Sequence, residues 1–183
     1  MKKINLSNSI VYIGERAFGS KNKGTIGNPS ITYMNIEIKS LPENLKTIGS
    51  FAFYYGGNNI TLSELPENLD SIGIWAFAYC PNLKISDFNV KKISGNAFYS
   101  SGKNSNEFNT PDIILTIGKR AEEIAYTSTG YSAAFDDYGS YFKQFYVDTI
   151  SPFSNIYYNE ELKLSAKNFG INIITAVDNE SEA

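Results

Sequence analysis

The sequence predicts an α/β solenoid, with short parallel strands along one side, turns and short helical segments along the other, and an irregular C-terminal cap. Three observations predict it. Residues 41 to 53 read LPENLKTIGSFAF and residues 65 to 77 read LPENLDSIGIWAF, thirteen nearly identical letters 24 residues apart. Shorter echoes, IGERAF at 13 to 18 and ISGNAF at 93 to 98, extend the series in both directions. Upstream of each copy lies a short segment of strict apolar and polar alternation. One such unit standing alone would leave its Ile, Ala and Phe in water, so it must stack on a near copy, and the sequence repeats because stacking builds the core.

In chain order the alternating segments are KINLS (3–7), NIEIK (35–39), NITLS (59–63), NLKIS (82–86) and DIILT (112–116). Period-two alternation is the signature of a half-buried strand. The inward columns are Ile4 and Leu6, Ile36 and Ile38, Ile60 and Leu62, Leu83 and Ile85, Ile113 and Leu115. The outward columns hold Lys3, Asn5 and Ser7; Asn35, Glu37 and Lys39; Asn59, Thr61 and Ser63; Asn82, Lys84 and Ser86; and Asp112, Ile114 and Thr116.

Each segment leads to a turn. Ala17, Ala52, Ala76 and Ala97, spaced by 35, 24 and 21 residues, are small where the turn packs tightly. The Phe that follows each one fills the interior and contributes about 1.5–3 kcal/mol. Gly14, Gly49, Gly73 and Gly118 are expected to allow a backbone turn that a Cβ would obstruct. Ile10, Leu45, Leu69 and Val90 stand three positions before the first Ile of each copy. A further step of 24 reaches Ala121 in IGKRAE, with Ile114 upstream and Glu122 in place of the Phe, which reads as a degenerate copy.

Beyond residue 118 the pattern loosens. KRAEEIAY (119–126) sets Ala121, Ile124 and Ala125 on one helical face and predicts a short amphipathic helix. YSAAFDDYGSYFKQFYVDTI reads as another stretched repeat, with Ala134 and Phe135 as its pair and FYV as its strand. LKLSAKNFGINIITAV adds a helical turn and one or two closing strands. Repeats of this length with one strand each are of the leucine-rich type. The expected organisation is therefore a leucine-rich-repeat array of about four to five units over 1–118. Residues 119–183 then form a degenerate repeat and C-terminal cap of the same structural domain, or in part the start of another array.

IGERAF, LPENLKTIGSFAF, LPENLDSIGIWAF and AFAYCPNLKIS together resemble the BspA-like leucine-rich repeats of bacterial surface proteins, over about residues 4 to 121. The resemblance implies a cell-surface adhesion or interaction role without enzyme activity, and it carries no catalytic or ligand residue to transfer. The location it implies is extracellular or cell-surface. No signal peptide is legible in MKKINLSNSIVYIGERAF, so a cytoplasmic location or a segment cut from a longer protein is equally compatible with the sequence.

Composition narrows the chemistry. The 183 residues suffice for one domain with a real core, and a net charge of −3 without basic or acidic runs argues against a nucleic-acid or anionic-membrane partner. Nowhere do eighteen apolar residues run together, so no membrane insertion is expected. There is no histidine, which removes the commonest general base and metal ligand. The one cysteine, Cys80, reads as a core thiol rather than a nucleophile and has no internal disulfide partner.

The adjacent carboxylates Glu122 and Glu123, Asp136 and Asp137, and Glu160 and Glu161 lack calcium-loop spacing and read as a solvated face. No GxGxxG, P-loop or HExxH occurs. Neither a catalytic site, a cofactor nor a metal is expected. The candidate interaction face is the polar outward column of Asn35, Glu37, Asn59, Thr61, Asn82 and Lys84, facing a protein or glycan ligand, with the long Gly, Asn and Ser segments after residues 18 and 98 as candidate binding loops. Tyr54, Tyr55, Tyr79 and Tyr99 follow the turns and either pack there or serve recognition. The alternative is a structural spacer or self-assembling segment with no ligand of its own.

Overall fold

The computed structural model describes residues 2–20, 36–103, 114–127, 132–139 and 142–173. The chain has an α/β repeat fold made of short parallel strands with little helix. Strands β1 (Lys2–Lys3) and β3 (Ile36–Glu37) form one pair. Strands β2 (Tyr12–Ile13), β4 (Thr47–Ile48), β5 (Ser71–Ile72), β7 (Lys92–Ile93) and β9 (Glu123–Ile124) form a five-stranded sheet in that order. A three-stranded sheet runs β10 (Gln144–Val147), β8 (Ile114–Ile117), β6 (Asp87–Phe88). Helix α1 spans Ser154–Tyr157, and a 3-10 turn spans Ala166–Phe169.

The alternating segments are only in part the predicted strands: 59–63 holds a single bridge residue, Ile60, and 82–86 forms no strand, β6 following it at Asp87–Phe88. Ile38 bridges in parallel to Ile60, and the Lys84 N–H donates to the Leu62 carbonyl (2.8 Å), so successive segments stack side by side. Ile38, Ile60, Leu62, Leu83, Ile85 and Leu115 are buried, whereas Lys3, Asn5, Ser7, Lys39, Ser63 and Lys84 are exposed.

The five-stranded sheet is a second ladder that the sequence did not announce. The polar residue and Ile before each turn, expected as part of the turn, are themselves a two-residue strand, with Ile13, Ile48, Ile72, Ile93 and Ile124 buried. Each repeat thus contributes backbone to two parallel ladders.

The turn itself is closed by an Ala N–H donating three residues back, as from Ala52 to Gly49 (3.3 Å) and from Ala76 to Gly73 (3.3 Å). Its left-handed residue is not the glycine. Arg16, Phe51, Trp75 and Asn96, directly before each Ala, have φ of 56°, 58°, 57° and 55°. A second left-handed residue follows two places after Phe53, Phe77, Phe98 and Phe135, at Tyr55, Tyr79, Ser100 and Asp137. Bulky L-residues occupy this region at about 1–2 kcal/mol each, so surrounding packing must over-determine it.

That packing is a column of rings. Phe18, Phe53, Phe77, Phe98 and Phe135 stack in succession at 5.4, 4.9, 5.4 and 5.6 Å, with interplanar angles of 5° to 16°. Beside the rings, the Phe N–H of one turn donates to the Ala carbonyl of the next: Phe18 to Ala52, Phe53 to Ala76, and Phe77 to Ala97, each 2.7 Å, then Phe98 to Ala134 at 3.0 Å.

Two expectations for the C-terminal third need correction. The fifth Ala-Phe pair is Ala134–Phe135, not Ala121–Glu122; Ala121 takes the place of Leu45, Leu69 and Val90, three residues before the buried Ile of its strand. KRAEEIAY is not a helix. Glu122 and Glu123 donate their N–H groups to the Lys91 carbonyl (2.8 and 2.9 Å), and Ala125 donates to Ile93 (2.9 Å). A spacing of three between buried residues fits both a helix face and this repeat, and the waiting edge of β7 decides between them.

The inter-turn bonding continues where Phe135 donates to the Phe169 carbonyl (3.0 Å). Tyr138 lies buried within this stretch, its hydroxyl donating to the Ile85 carbonyl (2.7 Å).

Candidate interaction face

The predicted outward column is not a uniform exposed strip. Asn35 lies outside the described residues, as do most of the two long segments proposed as binding loops. Glu37 sits between Lys3 and Lys39, its Oε2 3.9 Å from Lys3 Nζ and its Oε1 3.2 Å from Lys39 Nζ, with its side chain only 13% exposed. The parallel bridge of Ile38 to Ile60 sets Glu37 level with Asn59 and Lys39 level with Thr61. Thr61 is half-buried, and its N–H donates to the Ile38 carbonyl (3.1 Å). Asn82 Nδ2 donates to the Asn58 carbonyl of the preceding repeat (2.9 Å), so this residue ties two repeats together. Lys84 alone of the described five is exposed.

Sequence reasoning missed a second outward column. The register of the five-stranded sheet aligns Tyr12, Thr47, Ser71, Lys92 and Glu123. Ser71 Oγ donates to Thr47 Oγ1 (3.3 Å), and Lys92 Nζ donates to Glu123 Oε2 (2.7 Å). The signal was present as the polar letter before each buried Ile, but a two-residue strand is too short to show alternation.

Beside this sheet, Arg120 fastens three repeats. Its guanidinium donates to the carbonyls of Glu67, Leu69 (3.1 Å) and Asn89 (3.3 Å) and pairs with Asp70 (2.5 Å), which also meets Lys91 Nζ at 3.2 Å. Desolvation pushes the Asp70 carboxyl up, but the Lys91 hydrogen bond and the charges of Lys91, Arg120 and Lys46 outweigh it and hold the carboxyl below its ordinary range.

The tyrosines after the turns are engaged with one another. Tyr55 and Tyr79 stack at 4.2 Å, Tyr54 meets Tyr55, Trp75 and Tyr79 edge-on at 4.6 to 5.9 Å, and Trp75 lies 5.1 Å from Tyr99. Desolvation, with Tyr55 beside it, pushes the Tyr79 hydroxyl well up. Tyr55 is buried, and Tyr54, Tyr79 and Tyr99 are half-buried. Their ring contacts with each other favour the packing reading.

Among the described residues no group of three carboxylate, Cys or His side chains could hold a metal, and no helix is long and apolar enough to cross a membrane. Cys80 is fully buried, its Sγ donating to the Phe53 carbonyl (3.2 Å), and burial pushes its thiol up to about 12. The reactive species is the thiolate. Alkylation by iodoacetamide in native buffer near neutral pH is therefore expected to be undetectable and to switch on only with denaturant, in step with unfolding by circular dichroism. Fast labelling of the native chain would contradict that burial.

No curated protein and no solved structure matches the chain. The family model of the BspA-type leucine-rich repeat region matches residues 1–123 in six copies, one or two more than the motifs alone suggest. Turns closed by Ile, Ala and Phe and stacked through two parallel ladders account for such a match, and the chain belongs to the BspA-type leucine-rich repeat family.

Proposed function

We propose that this chain is a non-catalytic interaction or adhesion module of the bacterial cell-surface type. In this reading its repeats wind as a solenoid and hold polar side chains in register for a protein or glycan ligand. Residues 1–118 serve as the array, and 119–183 as degenerate repeat and cap. The observation that carries the reading is the parallel stacking of polar, half-buried to exposed positions over a buried column, which favours a platform rather than a cleft. Lys3 and Lys39 beside Glu37, with Thr61 and the exposed Lys84 on the following repeats, give mixed charge and several donors. Such a surface suits hydrogen-bonded, weakly steered recognition.

The test uses Thr61 and Lys84, whose side chains reach solvent at least in part. Glu37 lies between two lysines and Asn82 holds a neighbouring repeat, so changes there would confound stability with binding. A Thr61→Arg, Lys84→Glu double variant is expected to keep the wild-type melting temperature and to lose saturable binding to arrays of matrix proteins, mucins and glycans. Binding that survives the double variant, or no saturable binding by the wild type, removes this face from the account.

A further inference from the structure

The aromatic side chains of the turns are not spread evenly along the repeats. Directly before the Ala stand Arg16, Phe51, Trp75 and Asn96, and two places after the Phe stand Ser20, Tyr55, Tyr79, Ser100 and Asp137. Phe51, Tyr55, Trp75 and Tyr79 are held at φ of 55° to 60°, in the left-handed region that Asn96, Ser100 and Asp137 occupy in the following turns. After glycine, short polar residues such as Asn and Asp enter that region most readily, so closing the turn asks for no ring. Packing keeps these rings ordered but does not account for their being aromatic, and backbone strain of this kind gathers at functional sites. Tyr55, Tyr79 and Trp75 lie near-parallel, at interplanar angles of 10° and 21°, while Tyr54 and Tyr99 stand across Tyr79 at 77° and 72°. Phe51, Tyr54, Trp75, Tyr79 and Tyr99 all keep part of their surface in solvent.

We infer that this aromatic patch is a separate binding site, which takes a neutral oligosaccharide laid across the turns that carry Phe51, Trp75 and Tyr99. The C–H face of a sugar ring meets the electron-rich face of an indole or phenol, and the hydroxyls around the sugar meet the phenolic oxygens. The Tyr55 hydroxyl is hydrogen-bonded to those of Tyr54 and Tyr79, and a phenolic oxygen, with one donor and two acceptor positions, keeps capacity for a further partner. Desolvation, with Tyr55 beside them, pushes both hydroxyls up, so they stay protonated and uncharged near neutral pH. The Arg16 guanidinium, 4.8 Å over the Phe51 ring, is paired with Glu15 at 3.4 Å and adds no net charge. An apolar peptide would strip water from the tyrosine hydroxyls without replacing it. A quaternary ammonium needs rings that surround it, whereas Tyr79 lies directly against Tyr55 at 4.2 Å and Trp75 at 6.3 Å. The inference is independent of ligand binding at the strand face, whose residues lie on other segments of the repeats.

Trp75 is the one tryptophan of the chain, so its fluorescence reports on the patch directly and without any substitution. Titration of the wild type with cellohexaose, mannohexaose and maltohexaose is expected to shift that emission saturably for at least one of the three. Trp75→Asn installs the residue that the next repeat carries in the same conformation at Asn96. It should keep the wild-type circular dichroism and weaken binding of that sugar, read by calorimetry, at least about tenfold. The Thr61→Arg, Lys84→Glu chain should bind the sugar as the wild type does, and the array test of the strand face is read in the Trp75→Asn background, so that each site fails or stands alone. No saturable shift with any of the three sugars, an affinity indifferent to Trp75→Asn, or a shift given by tetramethylammonium or an apolar peptide in place of the sugars would each overturn the inference.

Discussion

Phe77→Ala is expected to destabilise the fold by about 4 kcal/mol, read as a lower urea midpoint by circular dichroism. The Phe77 ring is wholly buried between the rings of Phe53 at 4.9 Å and Phe98 at 5.4 Å. Truncation removes its transfer energy and both stacking contacts and leaves a void with an aromatic face on each side. The void resists collapse because the repeats on either side are held apart by backbone bonds, from Gly73 to Ile48 (2.8 Å) and from Ser94 to Ile72 (3.0 Å). Phe18, half-buried and with one stacked neighbour among the described residues, supplies the comparison, and Phe18→Ala should cost about half as much. Equal losses at the two positions would mean that the ring column is not a cooperative core.

The contrast between Phe77 and Phe18 also marks what the sequence makes legible. Residues that must be buried in every repeat must recur, so the Ala-Phe pairs and alternating segments can be read from the letters alone. Residues that act once are not periodic. Arg120 reaches the carbonyls of Glu67 and Leu69 across more than two repeats, and no spacing rule announces such a contact. KRAEEIAY misleads for another reason: its local pattern suits a helix, and only the edge of β7 forces it into a strand.

The candidate face is legible in direction but not in exposure. Alternation places Glu37 and Asn82 on the polar side of their segments. It says nothing of the lysines that enclose Glu37 or the carbonyl that Asn82 holds, both contributed wholly or partly by other segments.

Glycine gives the sharpest case in which one sequence letter carries different physical meanings. Neither Gly73 nor Gly14 has a positive φ, so backbone freedom is not the reason for the residue. A Cβ on Gly73 would lie 2.5 Å from the Ser50 nitrogen and 2.8 Å from the Gly49 carbonyl carbon, both backbone atoms of the preceding repeat. They cannot yield without stretching the bond from the Gly73 N–H to Ile48 and the ladder beside it. Gly73→Ala is therefore expected to cost about 3 kcal/mol, the upper part of the usual range for overpacking, because the clash is with backbone rather than a movable side chain. Among the described residues the same Cβ at Gly14 would meet only Tyr12 Cε1, at 3.7 Å, an ordinary contact. Gly14→Ala should leave the urea midpoint unchanged or slightly raised, since alanine narrows the unfolded ensemble. Equal costs at the two sites would show that the glycines serve local turn geometry. A loss confined to Gly73 would show that the glycine lets one repeat's backbone nest against the next.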